Sequence, residues 1–414
     1  MKDEPGTGAV DPVTRTPPPD VASPHLFAGI GATFGAQAIA VIVFLTVPIM
    51  ATQIAPAFGV ASKDIGIFMS IVFASAMIFS AASGSLIRRY GGIRSIQLGM
   101  TFSACSLVLV LAGSMPLLLL SAALVGVGYG SNTPAGTHVL ARVTPARRRG
   151  FVFSLKQSGA PLGGLIAGFL IPPLVIAIGW RGALGTTIAL ALLAVTALQP
   201  LRRTLDDDRD PRTRLGFVSP WGAIRAVLAN PPLRRLIAVA FCLTTIQAIV
   251  LTFLIIILVE SLGLEYTLAG AVFATSQAGG AGLRILSGWI ADRTLGARGT
   301  LIVLGFGSTV ALLALTALDP TTSLVAIIGV SVIVGTLSFG WNGVFLAEVV
   351  NLAPAAEVGT ATGGALFFLY GGIVAGPAAL SLMVDVFGEF DGPLRLVAVA
   401  TLFASANLLW RAPR

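Results

Sequence analysis

Apolar and polar residues do not alternate along this chain with the period of a strand, nor do they leave the half-polar stripe of a surface helix. They segregate into blocks: runs of 20 to 30 mostly apolar residues, each closed by a short polar connection. A helix needs roughly 20 apolar residues to cross a bilayer. Twelve blocks meet that length, at about 27–54, 65–87, 94–113, 116–141, 150–177, 181–201, 234–260, 267–290, 300–318, 321–350, 358–386 and 392–410. The pattern predicts an all-α polytopic membrane protein with twelve transmembrane helices. Short alternating segments of the outer-membrane barrel type are not seen. Residues 1–25 form a polar, Pro-rich tail, read as disordered and cytoplasmic.

Charge fixes an orientation. The chain has 414 residues, 55% hydrophobic and 11% charged, with a formal net charge of +8. A soluble chain carries about 25% charge, so a water-soluble enzyme and a nucleic-acid-binding protein are excluded despite the basic balance. Of the 26 Lys and Arg, 21 fall in the tails and in alternate connections on one side. Only Lys63, Arg181 and Arg395 fall on the other. The positive-inside rule places the richer side, with both termini, in the cytoplasm. Arg outnumbers Lys 23 to 3, a bacterial, GC-rich bias that makes the expected location the inner membrane. Cys105 and Cys242 lie inside apolar runs and read as small buried hydrophobes.

The longest connection, 202–233, carries charge of both signs and ends on Pro231 and Pro232. It divides the chain into halves of six spans, 26–201 and 234–410. The halves repeat each other. GYGSNTPAGTHVLARVTPARRRG (128–150) aligns with LSFGWNGVFLAEVVNLAPAAEVG (337–359) at an offset of 209, which brings Pro145 to Pro354 and Gly150 to Gly359. Gln37 and Gln247 recur at nearly the same offset, and Asn132 and Asn342 fall one position apart. A 6+6 repeat is a transporter plan.

With spans, topology and repeat in place, the chain resembles the major facilitator superfamily over about residues 26–410. The carrying motif is the loop signature after spans 2 and 8. Its second copy, GWIADRTLGAR (288–298), keeps Gly288, Asp292, Arg293, Gly296 and Arg298, with one extra residue before Gly296. Its first copy, GSLIRRYGGIR (84–94), keeps Gly84, Arg89, Gly91 and Arg94 but has Arg88 where the family usually has Asp. The fourth-span Arg and the fifth-span Gly-Pro step linked with proton-driven drug export are missing. The stretch 147–182 is similar to small-anion porters of the cyanate-permease-like and oxalate/formate-like branches, which implies an anionic substrate.

Two basic residues lie inside spans, Lys156 and Arg284. An ionisable group there is a functional candidate, because the bilayer penalises unpaired charge by about 2.5–3.5 kcal/mol or more. No Asp or Glu lies near the midplane to neutralise either. The resemblance implies that spans 5 and 8 face each other, which would bring the two cations together with no counter-ion. At about 8 Å and an effective dielectric near 20 they repel by roughly 2 kcal/mol. A bound carboxylate or dicarboxylate reverses the sign. The competing readings are a Lys156 that snorkels to the headgroups and an Arg284 that bonds only backbone carbonyls. Gln37, Asn132, Gln247, Gln277, Trp341, Asn342 and Tyr370 are candidates to line the cavity and orient a bound anion; each is equally read as interhelical glue. His138 is read as a solvated span end, with a proton relay as the alternative.

The function expected is secondary active transport of a small organic anion by alternating access, without enzymatic activity. Coupling is to proton symport or to anion exchange; the sequence leaves both open. A drug exporter and an inorganic or pseudohalide anion porter are the alternatives. No GxxxxGK[ST] string supports ATP-driven transport. No cofactor, metal or nucleic-acid partner is expected, and the carrier is read as a monomer in the bilayer.

Overall fold

The computed structural model of the chain describes residues 25–145, 149–216, 221–353 and 358–409. The expected disordered tail over 1–24 and Pro354 of the repeat lie outside these. Every regular element among the described residues is helical. One half contains α1 (His25–Ile49), α2 (Ala51–Phe58), α3 (Ile65–Tyr90), α4 (Gly92–Val110), α5 (Met115–Val143), α6 (Arg149–Gln157) and α7 (Gly159–Leu198). The short helices α8 (Arg202–Leu205) and α9 (Trp221–Ala229) follow. The other half contains α10 (Pro231–Ile256), α11 (Tyr266–Ile290), α12 (Gly296–Leu315), α13 (Leu324–Phe339), α14 (Asn342–Leu352), α15 (Val358–Phe387) and α16 (Asp391–Leu409).

Among the described residues, ten continuous stretches are long and apolar enough to cross a membrane. Two of them, Leu155–Leu198 with 44 residues and Tyr266–Leu315 with 50, are each about twice the length one crossing needs. Each contains a glycine with positive φ, Gly179 (φ 72, ψ 166) and Gly296 (φ 69, ψ 165), where the axis breaks and the chain turns back. Twelve crossings result. A residue with a Cβ enters this backbone region only with strain, so glycine allows a turn with no loop. The extra residue before Gly296 has a physical home. The end of α11 widens into a π-turn over Ala291–Leu295, which absorbs one inserted residue without breaking the helix.

Within the first half, α5 packs against α3 and α4, and α1 against α7. Within the second, α10 packs against α15, α11 against α13, and α12 against α16. The halves meet where α7 crosses α11 and α3 crosses α15. These crossings are built on glycine. A Cβ on Gly168 would lie 2.8 Å from the Gly270 carbonyl, and one on Gly270 would lie 2.6 Å from the Gly168 carbonyl. Lipid gives no hydrophobic drive between helices, so such close backbone approach supplies the packing energy.

Two side-chain bonds join the halves among the described residues, and both lie at the face remote from the chain ends. Lys63 forms an ion pair with Asp385 at the end of α15. Tyr266 donates its hydroxyl to the Ile49 carbonyl at 2.8 Å. This remote face is closed.

At the opposite face the connection after α7 is docked, not free. Asp206 accepts the first amides of α4, Ile93 N–H at 2.7 Å and Arg94 N–H at 2.9 Å, so its charge meets the positive end of that helix. Burial pushes its carboxyl up from the ordinary range, while these two bonds pull it back. Asp207 and Asp208 hold Arg142, and Asp208 meets His138 Nε2 at 2.7 Å. His138 is therefore a docking residue at the end of α5. The Asp210 N–H donates to the Arg88 carbonyl at 2.7 Å. Gly91 makes this dock fit: it has φ 92, and a Cβ there would lie 2.3 Å from Asp206 Cγ. Gly91→Ala is expected to lower unfolding stability by about 1–3 kcal/mol, read as a drop in thermal midpoint. Asp206→Ala should cancel part of that loss in the double variant.

Candidate functional site

A cavity of about 120 Å³ lies between the halves. Val41, Phe44, Phe73, Tyr129, Ala160 and Pro161 line it from one half; Gln247, Ala248, Leu251, Gln277, Arg284, Phe339 and Ile373 line it from the other. Phe44, Phe73 and Tyr129 form an aromatic triad, with centroids 5.0 to 6.0 Å apart and all pairs edge-to-face. Each such contact is worth about 0.5–1.5 kcal/mol beyond its buried area. The triad is a rigid apolar wall.

Arg284 is the one charged side chain of this lining. Its Nε donates to the Phe339 carbonyl at 3.3 Å. One turn on, Ser287 donates to the Gly340 carbonyl at 2.5 Å and ties α11 to the end of α13. Held through Nε, the guanidinium keeps both terminal nitrogens for a ligand, the fork geometry suited to a carboxylate. Among the described residues no carboxylate lies within ion-pair distance of it, and none lines the cavity.

The repeated amides pair within each half. Asn132 Nδ2 donates to Gln37 Oε1 at 3.0 Å, and Asn342 Nδ2 donates to Gln247 Oε1 at 3.3 Å. Each pair is separated by 95 residues, and the pairs are related by 210 positions, one more than the offset read from the loop alignment. Both fasten the first span of a half to its fourth. Only Gln247 of the four lines the cavity.

Lys156 is not among the lining residues. It is 2% exposed, with Nζ donating to Gln157 Oε1 at 3.1 Å and to the Thr133 carbonyl at 3.5 Å. Its Cε lies 3.0 Å from where a Gly136 Cβ would stand. The helix breaks at Ser158, between α6 and α7, and this aims Lys156 against α5. The ammonium is buried against α5 and is absent from the lining that holds Arg284, so one of the two expected cations stands at this cavity. Tyr370 also lies off the lining, within electrostatic reach of Tyr129, as are Gln37 and Arg284. Trp341 is fully buried and donates to the Ser338 carbonyl at 3.0 Å, a packing role.

The loop signature divides between the halves. Gly84 and Arg88 are exposed, Arg88 receiving the connection through its carbonyl. Arg89 lies 5.6 Å from the Tyr90 ring centroid, and Arg293 lies 5.3 Å from that of Trp289. Gly288 precedes the π-turn, and Asp292 within it makes no ion pair among the described residues. Sequence reasoning missed Tyr129, Phe44 and Phe73. Tyr129 stands three residues before Asn132 and is one of only four tyrosines, a signal that was available.

A family profile described as Major Facilitator Superfamily matches residues 30–377. The chain belongs to this superfamily. It is 24% identical over 319 residues to a probable galactarate/D-glucarate transporter of Escherichia coli, covering 69% of each chain. It is 24% identical over 302 residues to a probable 4-methylmuconolactone transporter of Cupriavidus pinatubonensis, covering 70% of this chain and 69% of that one. It is 32% identical over 170 residues to a probable chloroplastic anion transporter of Arabidopsis thaliana, covering 40% of this chain and only 32% of the plant protein. The crystal structure of a bacterial homologue of the lysosomal transporter Spinster, inward-facing and occupied, superposes with a TM-score of 0.75 at 17% identity, covering 94% of this chain and 97% of that one. The superfamily and these relatives are transporters, not enzymes, and the chain is a multi-pass membrane transporter.

The paired amides give a direct test of the repeat. Asn342→Leu removes the donor to the half-buried Gln247 carbonyl, at a cost of about 1–3 kcal/mol; Asn132→Leu leaves the Gln37 carbonyl only the Thr133 hydroxyl at 3.4 Å, and costs less. Both should lower the thermal midpoint. Asn342→Leu alone should also alter ligand affinity, because only its partner Gln247 faces the cavity.

Proposed function

We propose that this transporter carries a small organic anion, a mono- or dicarboxylate, across the cytoplasmic membrane by alternating access. Arg284 is the anchor. The observation that carries this reading is the imbalance of charge at the cavity: one guanidinium, both terminal nitrogens unoccupied, and no lining carboxylate among the described residues. A charge in a low-dielectric site is stabilised by an opposite charge brought to it. The ligand supplies that charge, and its differential affinity for one state lets the halves reorient. The named relatives with anion and sugar-acid cargoes agree with this substrate class.

Both chain ends are assigned to the cytoplasm of a bacterial inner membrane, on the placement of 21 of the 26 basic residues at that face. The closed remote face then belongs to the periplasmic side, and substrate reaches Arg284 from the cytoplasmic side in this state. Lys156 adds a positive charge behind the Gln37–Asn132 pair and raises the potential of that wall. With no carboxylate in the lining, coupling runs through the cargo: a proton bound with the substrate, or a second anion exchanged for it. Gln37, Asn132, Asn342 and Tyr370 support the wall from behind.

The test is a thermal-shift series on purified protein with mono- and dicarboxylates. One or a few of them should raise the midpoint of the wild type. A hydrogen bond to a charged group contributes about 1.5–3 kcal/mol, so Arg284→Gln should weaken binding by roughly ten- to hundredfold and abolish the shift. Lys156→Gln should weaken it less. Equal stabilisation by neutral or cationic amphiphiles, undiminished in Arg284→Gln, overturns the reading in favour of a drug exporter.

A further inference from the structure

The cavity holds a second polar feature that Arg284 does not account for. Gln277 lies on α11 seven residues before Arg284, two turns away on nearly the same face. Its side chain is 2% exposed, it lines the cavity, and its Nε2 has no hydrogen-bond partner. Across the interface between halves it abuts Gly164 of α7, where a Cβ would lie 2.9 Å from Gln277 Cδ and 3.0 Å from Oε1. The amide is pinned at the α7–α11 crossing with its donor end unspent. Native interiors rarely leave such a donor unpaired.

We infer that Gln277 reads the far end of the cargo, and that the cargo is a monocarboxylate whose apolar body ends in a neutral hydrogen-bond acceptor, a hydroxyl, carbonyl or ether oxygen. This deepens the anion reading above and rests on it. The carboxylate occupies the free nitrogens of Arg284. The body lies against the Phe44–Phe73–Tyr129 wall. The neutral oxygen accepts from Gln277 Nε2. The rise of two helical turns, about 10.5 Å, bounds the separation of the cargo's polar ends from above. Charge selects against a dicarboxylate. No second cation lines the cavity among the described residues, so a second carboxylate would be desolvated opposite an uncharged amide, while a neutral oxygen avoids that penalty.

Two matched sets of probes test this on purified full-length protein by titration: hexanoate, 6-hydroxyhexanoate and adipate; benzoate, 4-hydroxybenzoate and terephthalate. In at least one set the hydroxylated monocarboxylate should bind the wild type at least tenfold tighter than both its parent and the dicarboxylate. Gln277→Met, unbranched and of similar length beside Gly164, should bring hydroxylated and parent acids within about twofold of each other, chiefly by weakening the hydroxylated one. Gln277→Glu serves as a second variant: it keeps the shape, removes the donor, and should weaken every anion. The inference is overturned if the dicarboxylates bind tightest, if Gln277→Met retains the preference, or if the wild type binds none of the six. Arg284→Gln separates the two readings. Loss of all six in that variant supports the anchor. Survival of binding there, with the preference still erased by Gln277→Met, sinks the anchor and leaves the role of Gln277 standing.

Discussion

A guanidinium held in a low-dielectric cavity without a built-in counter-ion is the constraint to which the rest of this structure answers. The Phe339 carbonyl fixes the orientation of Arg284 but does not neutralise it. Removing a charge from water is costly unless it is paired. The surroundings therefore supply what they can short of a carboxylate: oriented carbonyls, buried amides, and an aromatic wall of fixed shape. No carboxylate lines the cavity among the described residues, and in the function proposed above the cargo brings that charge.

The halves around that site are joined by contacts that tolerate sliding. Gly168 against Gly270 brings two backbones together, and at Gly164 the Gln277 side chain fills the space that a Cβ would need. A seam of large interdigitated residues has one best register, whereas a seam of small residues has several close in energy. The directional bonds between halves, Lys63 with Asp385 and Tyr266 with the Ile49 carbonyl, sit at one end of this seam. Among the described residues, a rocking motion that parts the halves at that end breaks those two interactions.

Much of this was legible in the sequence because lipid imposes coarse rules. Apolar run length predicted the twelve crossings, and the placement of arginines carries the sidedness proposed above. The repeat was legible too, since the spacing from Gln37 to Asn132 equals that from Gln247 to Asn342. Arg284 was legible as a buried charge on a helix later found at the interface. Lys156 shows the limit. Its depth could be counted along the chain, but its direction depends on the helix break at Ser158 and on space left by Gly136 of another helix. The aromatic triad was hidden for a related reason: among 23 phenylalanines, only the crossing of α1, α3 and α5 singles out Phe44 and Phe73. The docking of Asp206 was obscured by composition, since an acidic, Pro-containing connection reads as a solvated tether until its carboxylate is seen on the first amides of α4.

That docked connection limits how far the halves can travel. It stays fastened to the first half as far as Gly216, which exchanges hydrogen bonds with the Ser85 hydroxyl, and it joins the second half at α9, which packs on α15. Five residue steps separate Gly216 from Trp221, so the two can stand at most about 18 Å apart at 3.3–3.6 Å per residue. Any motion of the halves that parts these two anchor points further must pull Gly216 off Ser85 or α9 off α15, so the connection acts as a stop apart from the seam.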